Sequence, residues 1–144
     1  MKKYFAFVGL LMLVNSSFAG TTLDCWETYL NKKGQPVTHF DTRIVLKSDD
    51  FSQLSSENVE GYDKHGDEFK KYISTASFNA YGDLVVVGYA KPPFLKPFSV
   101  AQYTIKNPGR SQVIQVERYQ LFTPVAETPE KLHSILDCTV TSNQ

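Results

Sequence analysis

Val37-Thr38-His39-Phe40-Asp41-Thr42-Arg43-Ile44-Val45-Leu46-Lys47 alternates with a period of two. Phe40, Thr42, Ile44 and Leu46 fall on one side. His39, Asp41, Arg43 and Lys47 fall on the other, with Val45 among them. Successive side chains of a strand point to opposite faces, so this stretch reads as a β-strand with one buried and one wet face.

The pattern continues in both directions. Towards the N-terminus, Asn31 to Pro36 is a turn in which Gly34 is free to take positive φ, and Leu23 to Leu30 is a first strand. Towards the C-terminus, residues 48–68 are rich in carboxylates, with a short strand at Asn58 to Tyr62 and a turn at His65-Gly66-Asp67. Phe69 to Asn79 alternates again, and Ala80 to Asp83 makes a hairpin turn. Leu84 to Ala90 is apolar on both faces and suits a central strand, with Gly88 placed to bend it.

Lys91-Pro92-Pro93-Phe94-Leu95-Lys96-Pro97 is not regular sheet, because its three prolines lack ladder donors. It reads as an extended loop, followed by a strand from Ser99 to Lys106. Asn107 to Arg110 is a turn. Gln112 to Phe122 is a long strand whose apolar set shifts phase between Val116 and Tyr119, which predicts a β-bulge near Glu117-Arg118. Thr123 to Pro129 is a loop, and Thr128 suits the cap of one helical turn at Pro129-Glu130-Lys131. A last strand runs from Leu132 to Thr141, with Leu132, Leu136, Cys138 and Val140 on one face.

Seven or eight strands at hairpin spacing define an all-β, single domain of antiparallel strands, as a small barrel or a β-sandwich. The two cysteines favour the barrel. Cys25 lies in the first strand and Cys138 in the last, within matching Leu-Asp-Cys tripeptides. A disulfide needs Cα atoms within about 7 Å, which brings the first and last strands of a meander together. The parity of Cys25 is open: Leu23 and Tyr29 place it on the core face, Trp26 and Leu30 on the other.

Residues 1–19 have the layout of a cleaved signal peptide: Lys2 and Lys3, an apolar run from Tyr4 to Val14, then a polar segment ending in Ser17-Phe18-Ala19. The run is shorter than the roughly 20 residues of a spanning helix. The expectation is a bacterial periplasmic or secreted domain of residues 20–144, with no membrane span after cleavage. That destination suits the disulfide.

Without the signal, 13 basic residues face 15 acidic ones, a net charge of −2. No nucleic-acid partner is expected, since such a partner demands a basic surface. No nucleophile motif is present, the catalytic residues are unknown, and no cofactor or metal is expected. His39 and Asp41 with His133 downstream mimic an H-x-D…H metal pattern, but alternation places the first two on the outward face. Calcium binding by residues 49–68 is a further reading, against an exposed charged loop.

Fifteen aromatics survive cleavage, and most suit strand faces. Phe94, Leu95 and Phe98 differ, because they sit in or beside the proline-rich loop. They cap one end of the core or contact a partner. The function expected is an exported, non-enzymatic binding or inhibitor-like module acting on a protein or a small apolar ligand through this loop or a barrel end. The alternatives are a small hydrolase with scattered carboxylates and a structural cell-envelope component.

Overall fold

The computed structural model describes residues 20–48, 50–106, 114–120 and 133–143. Eight strands follow one another: β1 (Gly20–Leu30), β2 (Pro36–Leu46), β3 (Val59–His65), β4 (Glu68–Phe78), β5 (Leu84–Ala90), β6 (Phe98–Ile105), β7 (Ile114–Gln120) and β8 (His133–Asn143). Each pairs antiparallel with the next, and β8 pairs back onto β1, so the sheet closes into a barrel. The barrel is therefore correct and the sandwich is not. The signal segment, the 107–110 turn, the 123–129 loop and the Thr128-capped turn lie outside the described residues.

The seam is where the cysteines meet. Cys25 is directly opposite Cys138, and the two are joined with Cα atoms 4.0 Å apart. Both are buried among Leu23, Ile44, Val116 and Leu136, which settles Cys25 onto the core face. On β8, Leu136, Cys138 and Val140 share that face as expected.

Two bulges break the regular alternation. On β1 and β2, Cys25 pairs with Thr42 but Trp26 pairs with Phe40, so Asp41 is an extra residue. A bulge changes which side chains face inward beyond it. Thr42, Ile44 and Leu46 point into the barrel as the sequence implies, but Phe40 does not. It lies on the outer wall, edge-on to Trp26 at 5.3 Å and to Phe69 at 5.6 Å. On β5 and β6, Gly88 pairs with Ala101 and Tyr89 with Ser99, leaving Val100 extra. This is the bend expected at Gly88.

The bulge expected near Glu117-Arg118 is absent. β7 keeps unbroken register with both β6 and β8. The apparent phase shift came from counting Tyr119 as an inward residue. Its ring lies outside, and its hydroxyl donates to Glu117 Oε2 at 2.8 Å. Arg118 keeps the inward parity of Val116.

The barrel interior has two unlike ends. At one, the β2–β3 connection folds back as a plug. It contains the 3-10 turn Phe51–Gln53, Leu54 is buried in the core, and Phe51 packs against it. Asn58 pins this connection, accepting from Ser55 N at 2.7 Å and donating to Gln53 O at 2.9 Å. Next comes the apolar core of Leu23, Ile44, Leu46, Val59, Leu84, Val86 and Ile105. Tyr72 then crosses the interior. Its ring fills the space left by two glycines: a Cβ on Gly61 would meet it at 2.2 Å, and one on Gly88 at 3.1 Å. Its hydroxyl reaches Thr42 Oγ1 at 2.8 Å. Beyond Tyr72 the interior is polar.

Candidate functional site

The polar end is formed by the last residues of β1, β3, β5 and β7 and the first of β2, β4, β6 and β8. Regular alternation carries Glu27 inward on β1, two residues past Cys25, and Arg118 inward on β7, two past Val116. The β2 bulge carries Asp41 inward beside Thr42. Asp41 is the most enclosed of the three, with only 8% of its side chain exposed. His39 pairs with Glu27 across the hairpin and sits at the rim, 46% exposed, with Nε2 3.4 Å from Glu27 Oε2. The Tyr29 ring stands edge-on to the imidazole at 5.4 Å.

Arg118 faces both carboxylates at a distance, 3.5 Å from Asp41 Oδ1 and 3.9 Å from Glu27 Oε2. Charge-assisted hydrogen bonds are normally about 2.7 to 2.9 Å. Burial is the largest influence on Asp41 and pushes its carboxyl upward from its ordinary pKa. Arg118 opposes that, Glu27 adds to it, and Tyr103 and His39 oppose it. The Tyr103 and Tyr72 hydroxyls are both held protonated well above their usual range, chiefly by burial. Asp41 Oδ2, Arg118 Nε and Ser134 Oγ are buried and find no hydrogen-bond partner among the described residues. Such orphaned groups are uncommon in a folded interior.

Beside this cluster is a cleft of about 260 Å³, lined by Asp63, Tyr72, Gly88, Tyr89, Ala90, Val100, Ala101 and Tyr103. Burial raises the Asp63 carboxyl above its usual value, with His65 opposing. Ala90 is the last residue of β5, and the proline-rich loop departs from it at the edge of the cleft. Within that loop Leu95 N donates to Pro92 O at 3.3 Å, closing a turn. Phe94 adopts φ 68°, the left-handed region that bulky side chains avoid, and its side chain is fully exposed. Leu95 is exposed as well. Phe98, half-buried, starts β6. Of the two rings read as capping the core or contacting a partner, Phe94 does not cap the core, while Phe98 is half-buried.

The structure brings together residues that the sequence separates. His39 and Asp41 turn inward, against the expected outward face, because of the bulge. His133 begins β8 at the same end. The carboxylate-rich stretch is divided between the plug, β3 and the β3–β4 hairpin, and Glu60 is occupied by Lys47 at 2.6 Å and Lys71 at 2.8 Å on the outer wall. Glu27, Tyr103 and Arg118 were not singled out from the sequence, and Asp63 only as part of the carboxylate-rich stretch. Glu27 was findable, since it shares the parity of Leu23 and Cys25.

The molecule is thus a closed, eight-stranded up-and-down barrel, with one plugged apolar end and one polar end that is open among the described residues. No protein-family model, curated protein or solved structure matches this chain.

Proposed function

We propose that the protein is an exported, non-enzymatic binding module that grips a protein partner with its open end. The observation that carries this reading is the Phe94 side chain. It is fully exposed on a loop rooted at the rim of the cleft, and its backbone holds a conformation costing on the order of 1 kcal/mol or more. Three prolines stiffen the loop, so little entropy is lost when it docks. A cleft of about 260 Å³ lies at or below the lower bound of pockets that take drug-sized ligands. It suits one inserted side chain from the partner better than a carried small molecule. The disulfide fits an oxidising, exported setting.

The variant Phe94→Gly with Leu95→Ala separates contact from folding, because glycine accepts φ 68° without strain. Its melting temperature is expected to equal or slightly exceed that of the wild type, while co-purification of the partner is lost. Retained co-purification at unchanged stability would remove the loop from the interface. Turnover of a substrate, abolished by single Asp or Glu substitution at the mouth, would favour the hydrolase alternative.

A further inference from the structure

Glu27, His39 and Asp41 each direct a donor atom towards the others, and the three atoms lie within 4.8 Å of one another. His39 Nε2 and Glu27 Oε2 are 3.4 Å apart. Two ligands on a tetrahedral zinc ion with bonds of about 2.0 to 2.1 Å span nearly the same gap, roughly 3.3 Å. The three residues come from adjacent strands, β1 and β2, so the sheet itself fixes their spacing.

A second observation points to a missing partner. Asp41 is 8% exposed at its side chain and its carboxyl is reached by the Tyr103 hydroxyl, yet its Oδ2 atom is left without a hydrogen bond among the described residues. Arg118 does not complete the cluster, because its Nε is equally unsatisfied and its contacts are long. The same chain builds a close Arg–Asp fork elsewhere: Arg43 holds Asp24 on the outer wall at 2.6 and 2.9 Å. The mouth cluster lacks that closure. Two carboxylates and an imidazole there face one distant guanidinium.

We propose that Glu27, His39 and Asp41 form a binding site for a divalent transition-metal ion of the zinc type. The donor set selects this class. Imidazole favours zinc and its neighbours over magnesium and calcium, and three protein ligands fall short of the six to eight oxygens that calcium takes. Three ligands also leave a coordination position for water or for a group on the partner. Arg118, 3.5 and 3.9 Å from the carboxylates, stays outside the ligand set and offsets part of their negative charge. The expectation of no metal rested on an outward face for His39 and Asp41, and the bulge removes that ground.

The test is calorimetric titration of the untagged, purified chain with Zn²⁺ and with Co²⁺, alongside visible spectroscopy of the cobalt form. One equivalent of either ion is expected to bind, Zn²⁺ displacing Co²⁺, with a cobalt d–d band appearing and the melting temperature rising. His39→Ala alters an exposed rim residue and is expected to fold normally, while weakening binding about ten-fold or more. Glu27→Gln is expected to do the same. Absence of saturable binding in the wild type overturns the proposal, as does unchanged affinity in both variants.

Discussion

Cys25 and Cys138 face each other across the β1–β8 seam but are separated by 113 residues in the chain. Opening that link releases the denatured chain from a loop spanning nearly the whole domain. Chain entropy for a loop of this length amounts to about 5 kcal/mol at 25 °C. Unfolding entropy of about 2.1 cal/mol/K per residue, over the residues from Gly20 onward, converts this into a fall in melting temperature of about 15 to 20 °C. The seam itself should survive, because β1 and β8 remain paired from Gly20–Asn143 to Trp26–Asp137. The reduced barrel is therefore expected to keep its far-ultraviolet spectrum at low temperature and to melt early. The assay compares thermal melts with and without reductant, and a Cys25→Ala/Cys138→Ala variant. Alanine is preferable to serine, because both sites are buried and a hydroxyl there would lack a partner. A reduced protein melting within about 3 °C of the oxidised one would refute the loop-closure reasoning.

Gly61→Ala places a methyl 2.2 Å from the Tyr72 ring, so it is expected to cost about 1 to 3 kcal/mol or more in urea denaturation. Tyr72→Phe removes only the hydroxyl bond to Thr42, which retains a bond to Tyr62 O at 3.3 Å, and a loss of about 1 kcal/mol should result. Glu60 is held at a pKa of about 2 by hydrogen bonds from Lys47, Lys71 and Tyr62, in that order. Its folded value lies below its unfolded one. The stabilisation is therefore complete above about pH 4.5 and is lost as pH falls towards 2. Glu60→Gln should flatten that part of a melting-temperature profile between pH 5 and 2, and an unchanged slope would show that Glu60 does not supply it. Phe40→Ala strips two edge-to-face contacts from the outer wall, so it should cost about 1 to 3 kcal/mol, less than loss of a true core phenylalanine.

Strand order was legible, strand number to within one, and closure was favoured over a sandwich, because they depend on period two, turn residues and the two cysteines. Those signals are local, apart from one covalent link. The mouth was less legible because it depends on where register slips. Asp41 as an extra residue moves Phe40 to the outer wall and Asp41 to the interior, and nothing in the alternation of residues 37–47 marks that position. The bulge is visible only when β2 is laid against β1, where Cys25 and Trp26 select different partners. The false bulge on β7 has the converse origin. Tyr119 is apolar enough to resemble a core residue, yet its hydroxyl serves Glu117 outside. Arg118 is charged, and yet it points inward because carboxylates on other strands await it. Polar interiors are assembled from distant strands, so single-strand alternation misreads them. Phe94 was legible as unusual, since three prolines surround it, but its full exposure required the structure.

The claim that the open end is the working end is tested most directly by site-specific photocrosslinking in the cells that make the protein. A photoreactive side chain at Phe94 samples the proline-rich loop. One at Tyr81, exposed on the β4–β5 turn at the plugged end, samples the opposite pole. A discrete adduct from position 94 and none from position 81 is the expected result. Adducts from position 81 alone, or equally from both, would contradict it.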